Sequence, residues 1–476
     1  MPKIKKVSSF LMVLVFLFSS IALSAQETGE KAKKAEVLTK KEQREVIKKI
    51  CDLLKTNYVF PDQALKIGNH LNAQIRKGVF NAVKDPENFA KKVTEEMWSI
   101  FEDRHLRVRI RPPERVQRQK RDPLLDGYLQ YSQMKDDNFG FKEVKILDGN
   151  VGYLDFRFFG PPGICKDVLA SSMAFLENTD AVIIDMRQNG GGSPSMVQLV
   201  CSYFFDKKVH LNSLYWRRGD FTQEFWTLDN IDGKKRPDVP LFVLTSKRTF
   251  SGAEEFSYNM LTQKRATLIG EVTGGGANPG GGNIINDRFV IFIPTGRAIN
   301  PITKTNWEGT GVKPDIEIEA DKALDKAHEE AKKAAAGFRE KKIAAATAKV
   351  NKLKESLDKA GAAFKDNDIK AGEEIVNEAL KVGQDEDLLD ENLINQLGYM
   401  YLGEKKVTFA IAVFKYNAGA YPESGNVYDS LGEAYKANGD IELAIKNYTK
   451  AVELDPTNNN AVAVLKELKE ELAKKK

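Results

Sequence analysis

One serine stands where a nucleophile could work. Ser251 follows the apolar run Leu241–Thr245, which predicts a buried strand, and a helix is expected to begin directly after it. At such a turn the first N–H groups of the helix and its dipole favour a developing oxyanion. Ser251 and Glu254 also match S-x-x-E, an ordinary capping box. On this motif alone capping is the better interpretation, and the two interpretations can hold together.

Residues that could act as a general base and as a supporting carboxylate lie far from this serine in the sequence. His105 is a candidate base, whereas His70 falls among predicted N-terminal helices and His328 in a polar helix. Glu308 lies in a loop after the last predicted strands. A serine hydroxyl is a weak nucleophile until an imidazole accepts its proton. A lone histidine is usually structural, so these residue types alone leave the question open.

A glycine-rich loop follows a second apolar run. Ala181–Ile184 reads as a strand covered on both faces, and Gly190, Gly191 and Gly192 come shortly after it. Such a loop can bring backbone amides close to a carbonyl, although a tight turn explains it equally well.

The secondary-structure elements that must position these residues are predicted from sequence patterns that change along the chain. Helical periodicity precedes residue 100, short strands and glycine turns fill the middle, and an Ala-, Lys- and Glu-rich helical stretch follows. The predicted domains are a signal peptide (1–25), an N-terminal helical region (26–105), a basic connecting segment (106–147), an α/β core (148–318), a helical linker (319–360) and repeats (361–476).

The C-terminal region repeats with a period of 34 residues, the tetratricopeptide period. Matched positions are Leu397-Gly398 with Leu431-Gly432, Tyr401 with Tyr435, Ala410 with Ala444, Phe414 with Tyr448, and Pro422 with Pro456. Stacked helix pairs of this kind present concave surfaces to peptides, so the repeats predict a protein partner.

The N-terminus and the composition indicate where the protein is located and which binding partners it has. Lys3, Lys5 and Lys6 precede the apolar run Phe10–Phe18 and the small residues Ala22–Ala25, the pattern of a cleaved secretory signal. The chain is therefore expected to be exported, periplasmic or secreted, without a stable membrane anchor after cleavage. The net charge of +5 falls to about +2 without the leader lysines, which argues against nucleic-acid binding. Three widely spaced cysteines allow one disulfide but offer no metal spacing.

Five motifs, taken in order, resemble one family. They are Asp103–Leu106, Asp185–Gly192, Ser251–Glu254, Gly270–Gly274 and Glu308–Asp315. Together they resemble the tail-specific, or C-terminal processing, serine peptidases, especially the branch of the tricorn core and the interphotoreceptor retinoid-binding protein. The resemblance implies a mixed-sheet α/β core with crossover helices, of the ClpP and crotonase kind.

The resemblance also implies roles for individual residues. Ser251 would be the nucleophile, His105 the general base and Glu308 its electrostatic support. The oxyanion hole would consist of the backbone amides of Gly252 and of Gly191 or Gly192. Neither a metal nor a cofactor is expected.

This sequence departs from the family at several points. The segment after the nucleophile lacks the lysine of a Ser/Lys dyad, and Lys264 is expected on a solvated helix face, so His105 must act as the base. Arg104 replaces the second serine of tricorn-like enzymes, and there is no room for a PDZ domain. Arg104 and Arg107 could instead hold a substrate carboxylate, although such basic runs are more often solvated.

The leading hypothesis is an exported serine endopeptidase that hydrolyses extended or unfolded protein segments, near C-termini, through an acyl-enzyme. The alternative is a catalytically inactive pseudopeptidase or a small-ligand-binding module with the same fold, in which the repeats act as an interaction scaffold.

Overall fold

The computed structural model describes residues 37–111 and 122–475. The signal peptide predicted at residues 1–25 lies outside this range. Among the described residues, no helix is both long enough and apolar enough to cross a membrane. The chain divides into two compact units, Met1–Phe338 and Arg339–Lys476.

A mixed six-stranded sheet forms the centre of the first unit, with the order β12-β8-β7-β4-β3-β2. Its strands are β2 (Phe141–Leu147), β3 (Val151–Phe156), β4 (Ala181–Asp185), β7 (Leu241–Thr245), β8 (Thr267–Gly270) and β12 (Ile316–Glu317). All neighbours are parallel except β2, which pairs antiparallel with β3. The predicted α/β core with a mixed sheet is thus confirmed.

Helices cover both faces of this sheet, which explains why β4 and β7 are apolar along their whole length. On one face lie α5 (Pro162–Phe175), α6 (Pro194–Ser202) and α7 (Gly252–Thr262). On the other face lie the first turns of α8 (Ala323–Lys365), through a stripe of buried alanines spaced four residues apart. The stripe consists of Ala323, Ala327, Ala331 and Ala335. This part of the predicted helical linker is therefore packed against the sheet.

The N-terminal helices have a core of their own and share it with a small antiparallel sheet. The helices are α1 (Lys40–Asn57), α2 (Pro61–Lys77) and α3 (Pro86–Trp98). The sheet has the order β1-β10-β9 and consists of β1 (Arg107–Ile110), β9 (Gly280–Ile284) and β10 (Phe289–Pro294). Helix α4 (Pro123–Asp136) lies between β1 and β2 in the sequence.

A second small antiparallel sheet has the order β11-β5-β6. Its strands are β5 (His210–Trp216), β6 (Phe221–Trp226) and β11 (Gly296–Ile299). The cysteines of the first unit, Cys51, Cys165 and Cys201, are free thiols, so the disulfide that the sequence allowed does not form.

The second unit is helical throughout its described residues. After the C-terminal part of α8 come α9 (Ile369–Asp385), α10 (Glu391–Gly403), α11 (Val407–Ala420), α12 (Gly425–Asn438), α13 (Ile441–Leu454) and α14 (Asn459–Lys475). A side chain on Gly398 would collide with the Phe414 ring, and one on Gly432 would press on Tyr448. These contacts explain why a glycine and an aromatic residue recur together 34 residues apart.

Candidate active site

Two neighbouring parallel strands bring the glycine loop and the Ser251 turn together. Strands β4 and β7 are paired in parallel, so the loops that leave their carboxyl ends emerge at the same edge of the sheet. Phe250 N donates to Asn189 O at 3.1 Å, and Thr249 Oγ1 donates to Met186 O at 2.8 Å. The two loops therefore form one hydrogen-bonded unit.

Ser251 occupies a strained turn at the start of α7. Its φ of 55° and ψ of −121° lie in a region that non-glycine residues avoid, and such strain often marks functional sites. Ser251 N donates to Glu254 Oε2 at 2.8 Å as part of the capping box. The side chain is partly exposed. Capping is thus present, and it leaves the hydroxyl accessible.

His105 reaches this serine from a different part of the chain. It ends a tight turn before β1, in which its own N–H donates to Asp103 Oδ1 at 3.1 Å. His105 Nε2 lies 3.2 Å from Ser251 Oγ, across 146 residues of sequence. The rings of Phe250 and Phe292 pack on the imidazole, with centroids 4.7 Å and 5.5 Å away. The sequence-predicted nucleophile and base are therefore within hydrogen-bonding distance.

The surroundings of His105 keep its imidazole neutral. Burial lowers its pKa to about 3, and the charges of Arg107 and Arg109 contribute in the same direction. A neutral ring has a lone pair available on one nitrogen. With Nε2 accepting from Ser251 Oγ, the ring proton resides on Nδ1. Nδ1 is buried and makes no hydrogen bond within the described residues.

Glu308 lies beside the histidine and is held by backbone amides. Its Oε1 accepts from Arg104 N at 2.7 Å, and its Oε2 accepts from Ala277 N at 2.6 Å and Asn278 N at 3.1 Å. Burial and, second to it, the nearby charge of Asp103 raise the pKa of Glu308 to about 8. Glu308 thus fixes the positions of the His105 turn and the 277–278 segment.

Asp103 is a second buried carboxyl group at the same place. Single ligand atoms of Asp103, His105 and Glu308 all lie within 4.8 Å of one another. Asp103 Oδ2 accepts from Tyr58 Oη at 3.0 Å and from Asn278 Nδ2 at 3.1 Å. Burial raises the pKa of Asp103 to about 6, against these hydrogen bonds. The histidine therefore has two carboxyl neighbours rather than one.

Glu254 connects the nucleophile turn to a second glycine segment. It is fully buried, and besides Ser251 N it accepts from Gly275 N at 2.6 Å, Gly276 N at 2.8 Å and the Thr273 hydroxyl. Burial raises its pKa to about 7. A Cβ on Gly276 would lie 2.8 Å from the His105 ring. The carboxyl of Glu254 therefore connects the Gly275–Gly276 segment, which lies next to the imidazole, to the Ser251 turn.

The amides of the first glycine loop are not equivalent. Gly191 N donates to Asn189 Oδ1 at 2.8 Å, so this N–H is already occupied. Gly192 N lies 3.0 Å from where a Cβ on Gly252 would be. Within the described residues, neither Gly192 N nor Gly252 N donates a hydrogen bond. Of the two alternatives that the sequence left open, Gly192 is the one available to pair with Gly252.

Matches to known families agree with this arrangement. Residues 150–318 match the model of peptidase family S41. Residues 27–139 match the N-terminal domain of peptidase S41 in eukaryotic IRBP, and residues 430–458 match the tetratricopeptide repeat. Residues 150–318 of this chain are therefore similar to peptidase family S41. The resemblance inferred from the ordered motifs and from the 34-residue period is confirmed.

Solved structures similar to this chain include bacterial proteins. One, described as an S41 protease from Bacteroides fragilis, is 23% identical with a TM-score of 0.35; the match covers 39% of this chain and 52% of that one, about half its length. One described as a peptidase from Parabacteroides merdae is 19% identical with a TM-score of 0.43, covering 61% and 96%. A photosystem II D1 C-terminal processing protease is 12% identical with a TM-score of 0.37, covering 59% and 94%.

The remaining basic residues considered from the sequence lie at different distances from the site. The Arg104 guanidinium pairs with Glu102 at 2.6 Å and stacks on Trp98. Arg107 donates to Arg104 O and lies 5.8 Å from the centre of the Phe250 ring, beside the site. Lys264 is exposed just beyond the end of α7. The Arg107 side chain thus lies beside the candidate site, whereas Arg104 contacts the site only through its backbone N–H, which donates to Glu308.

Sequence reasoning missed the structural importance of Asp103 and Glu254. Asp103 was read only as part of a motif, and Glu254 only as a capping residue. The Asp-x-His spacing is a usable signal, because a carboxylate two residues before a histidine can accept its backbone N–H. The bonds of Glu254 to residues about 20 positions away have no comparable local signature.

Proposed function

We propose that this chain is an exported serine peptidase that hydrolyses extended or unfolded protein segments, near their C-termini, in the manner of the tricorn-like branch. The single observation that carries the proposal is the 3.2 Å approach of His105 Nε2 to Ser251 Oγ. The export part rests on the leader pattern of the sequence. The peptidase part rests on the S41 match and this pair of side chains.

In the acylation step Ser251 Oγ attacks the carbonyl carbon of the scissile bond while its proton passes to His105 Nε2. The carbonyl oxygen becomes an oxyanion, for which the free amides of Gly192 and Gly252 are the proposed donors. When the tetrahedral adduct collapses, the C–N bond breaks and the leaving amine takes the proton from His105. An ester between Ser251 and the acyl part of the substrate remains.

In the deacylation step the same groups work in reverse. His105 takes a proton from a water molecule, the resulting hydroxide attacks the ester carbon, and Ser251 Oγ leaves with the proton. Glu308 and Asp103, both within 4.8 Å of the histidine, would stabilise the transient imidazolium once ionised. Arg107, beside Phe250, is the proposed contact for a substrate carboxylate, and Arg104 is the less favoured one.

A fluorophosphonate probe tests the enzyme proposal, because it forms a covalent bond only with an activated serine. We expect the wild-type chain to be labelled, and Ser251→Ala and His105→Gln to be labelled at least about 100-fold more slowly. Ser257→Ala is the matched control, since Ser257 is buried on the same helix and donates to Ala253 O. Equal labelling of Ser251→Ala and wild type would contradict the proposal.

One observation favours a second candidate, a pseudopeptidase that binds ligands or proteins without cleaving them. His105 Nδ1 has no hydrogen-bond partner within the described residues, whereas a working triad orients this nitrogen. The same labelling experiment separates the two candidates, because a pseudopeptidase leaves the probe unreacted. The repeat match supports a protein partner under either candidate.

A further inference from the structure

The small sheet of β1, β10 and β9 has two unlike faces. One face buries Val108, Ile291 and Ile293 against the N-terminal helices. Because strand side chains alternate, the residues between them point the other way. We call that side the open face; its rows across the three strands are Arg107, Phe292 and Gly282, and then Arg109, Val290 and Ile284.

The open face is continuous with the candidate catalytic pair. The Phe292 ring stacks on the His105 imidazole with centroids 5.5 Å apart, and Arg107 lies against Phe250, the residue before Ser251. Both arginines of this face lie close enough to His105 for their charges to lower its pKa. A ligand lying on the open face would therefore pass directly beside the serine.

The open face carries an accessible apolar strip beside its two arginines. Val290 and Phe292 are half-buried, and Ile284 is 43% exposed. Strand β9 is at the edge of the sheet and begins with three glycines, so no side chain of Gly280–Gly282 stands above its backbone. An exposed apolar strip next to catalytic groups is typical of a binding surface.

We propose that the open face receives apolar side chains of an extended peptide beside the scissile bond, with Val290 and Ile284 as the contacting residues. This inference deepens the proposed peptidase function and rests on it. The two arginines beside the apolar strip suit a peptide, which carries carboxylates as well as apolar side chains. Covering one apolar side chain gives about a tenfold gain in affinity.

Peptide binding to the full Ser251→Ala chain tests this inference without turnover. Two fluorescein-labelled peptides are compared by anisotropy, identical except that one has leucine where the other has asparagine at alternating positions. We expect the leucine peptide to bind at least about tenfold more tightly. Adding Ile284→Asp alone, or together with Val290→Asp, should remove most of this preference.

Ile146→Asp is the matched control, since Ile146 is 52% exposed on β2 of the central sheet. It should leave the preference intact, and urea unfolding should confirm that all variants are folded. Equal binding of the two peptides, or an unchanged preference in folded Ile284→Asp and double variants, would overturn the inference. The wild type could fail to be labelled by fluorophosphonate while the preference for the leucine peptide disappears in the open-face variants. That combination would refute the enzyme proposal and leave the binding inference standing.

Discussion

The carboxyl groups of Asp103, which is buried, and of Glu308, which is partly buried, lie within 4.8 Å of each other beside His105. Two carboxylates this close do not ionise independently, because the first negative charge raises the pKa of the second. Burial and the charge of Asp103 raise the pKa of Glu308 to about 8. Near neutral pH the pair therefore retains a proton that an isolated pair of carboxyls would have lost.

This pair predicts how activity depends on pH. Ionised Glu308 stabilises the imidazolium, so the rate of fluorophosphonate labelling should rise as the pH increases through about 8. His105 stays neutral over this range because burial lowers its pKa to about 3. Asp103→Asn removes the neighbouring charge, lowers the pKa of Glu308 and should move the rise down by about one pH unit or more.

The control for the pH experiment is Glu102→Gln, which removes a carboxylate one residue from Asp103. Glu102 is exposed and pairs with Arg104, so solvent screens its charge and the profile should stay close to that of the wild type. Superimposable profiles for wild type and Asp103→Asn would show that the two carboxyls do not interact.

The glycine loop predicts a contrast between two alanine substitutions at positions two residues apart. Gly192 has a φ of 144°, and a Cβ there would lie 2.1 Å from Phe159 O, so Gly192→Ala must displace a proposed oxyanion donor. We expect labelling to slow by about 100-fold or more. Gly190→Ala meets nothing within 4 Å and should label normally. Equal rates for these two variants, with thermal unfolding confirming that both are folded, would contradict the oxyanion assignment.

Two adjacent buried glutamates predict a second contrast. Glu254→Gln would direct amide hydrogens at a site surrounded by N–H donors from Ser251, Gly275 and Gly276. We expect a loss of about 2–4 kcal/mol in the free energy of unfolding, together with loss of labelling. Glu255 is also buried, but within the described residues its carboxyl accepts no hydrogen bond from the Ser251 turn or the 275–276 segment, so Glu255→Gln should still be labelled. Urea unfolding and the fluorophosphonate probe measure both effects. Similar behaviour of the two variants would refute the anchoring role of Glu254.

The Ser251 backbone predicts a difference between two inactive variants. Alanine keeps a Cβ at a φ of 55°, whereas glycine adopts this conformation without strain. Both substitutions remove the hydroxyl, so their comparison isolates the backbone. Ser251→Gly should unfold at higher urea than Ser251→Ala, by about 1 kcal/mol in the free energy of unfolding. Equal stability would mean that the turn is not strained.

Much of the central fold was accessible from local sequence. Strands β4 and β7 fall where continuous apolar runs predict fully covered strands, because a strand buried on both faces has no polar side. The pairing of Ser251 with His105 followed only from the order of several motifs. These two residues are 146 positions apart, and no periodicity reports such a contact.

Other features depended on contacts that local pattern does not encode. The stripe of Ala323, Ala327, Ala331 and Ala335 resembles a solvated helix, because alanine favours helices in either environment; only the sheet beneath reveals its burial. In the small sheet that positions His105, β1 pairs with β10, which lies about 180 residues later in the sequence. Glu254 illustrates the same limit, since its capping motif says nothing of the distant loop that it holds.

The positive φ at Ser251 also bears on how this chain can change over generations. Relief of backbone strain favours glycine at position 251, whereas the capping box and the proposed nucleophilic role favour serine. A descendant that no longer carries out the proposed peptide-bond cleavage would gain folding stability through this single replacement. Under the proposed peptidase function, serine at this position in related chains indicates continued selection for hydrolysis, and glycine indicates that this selection has ceased.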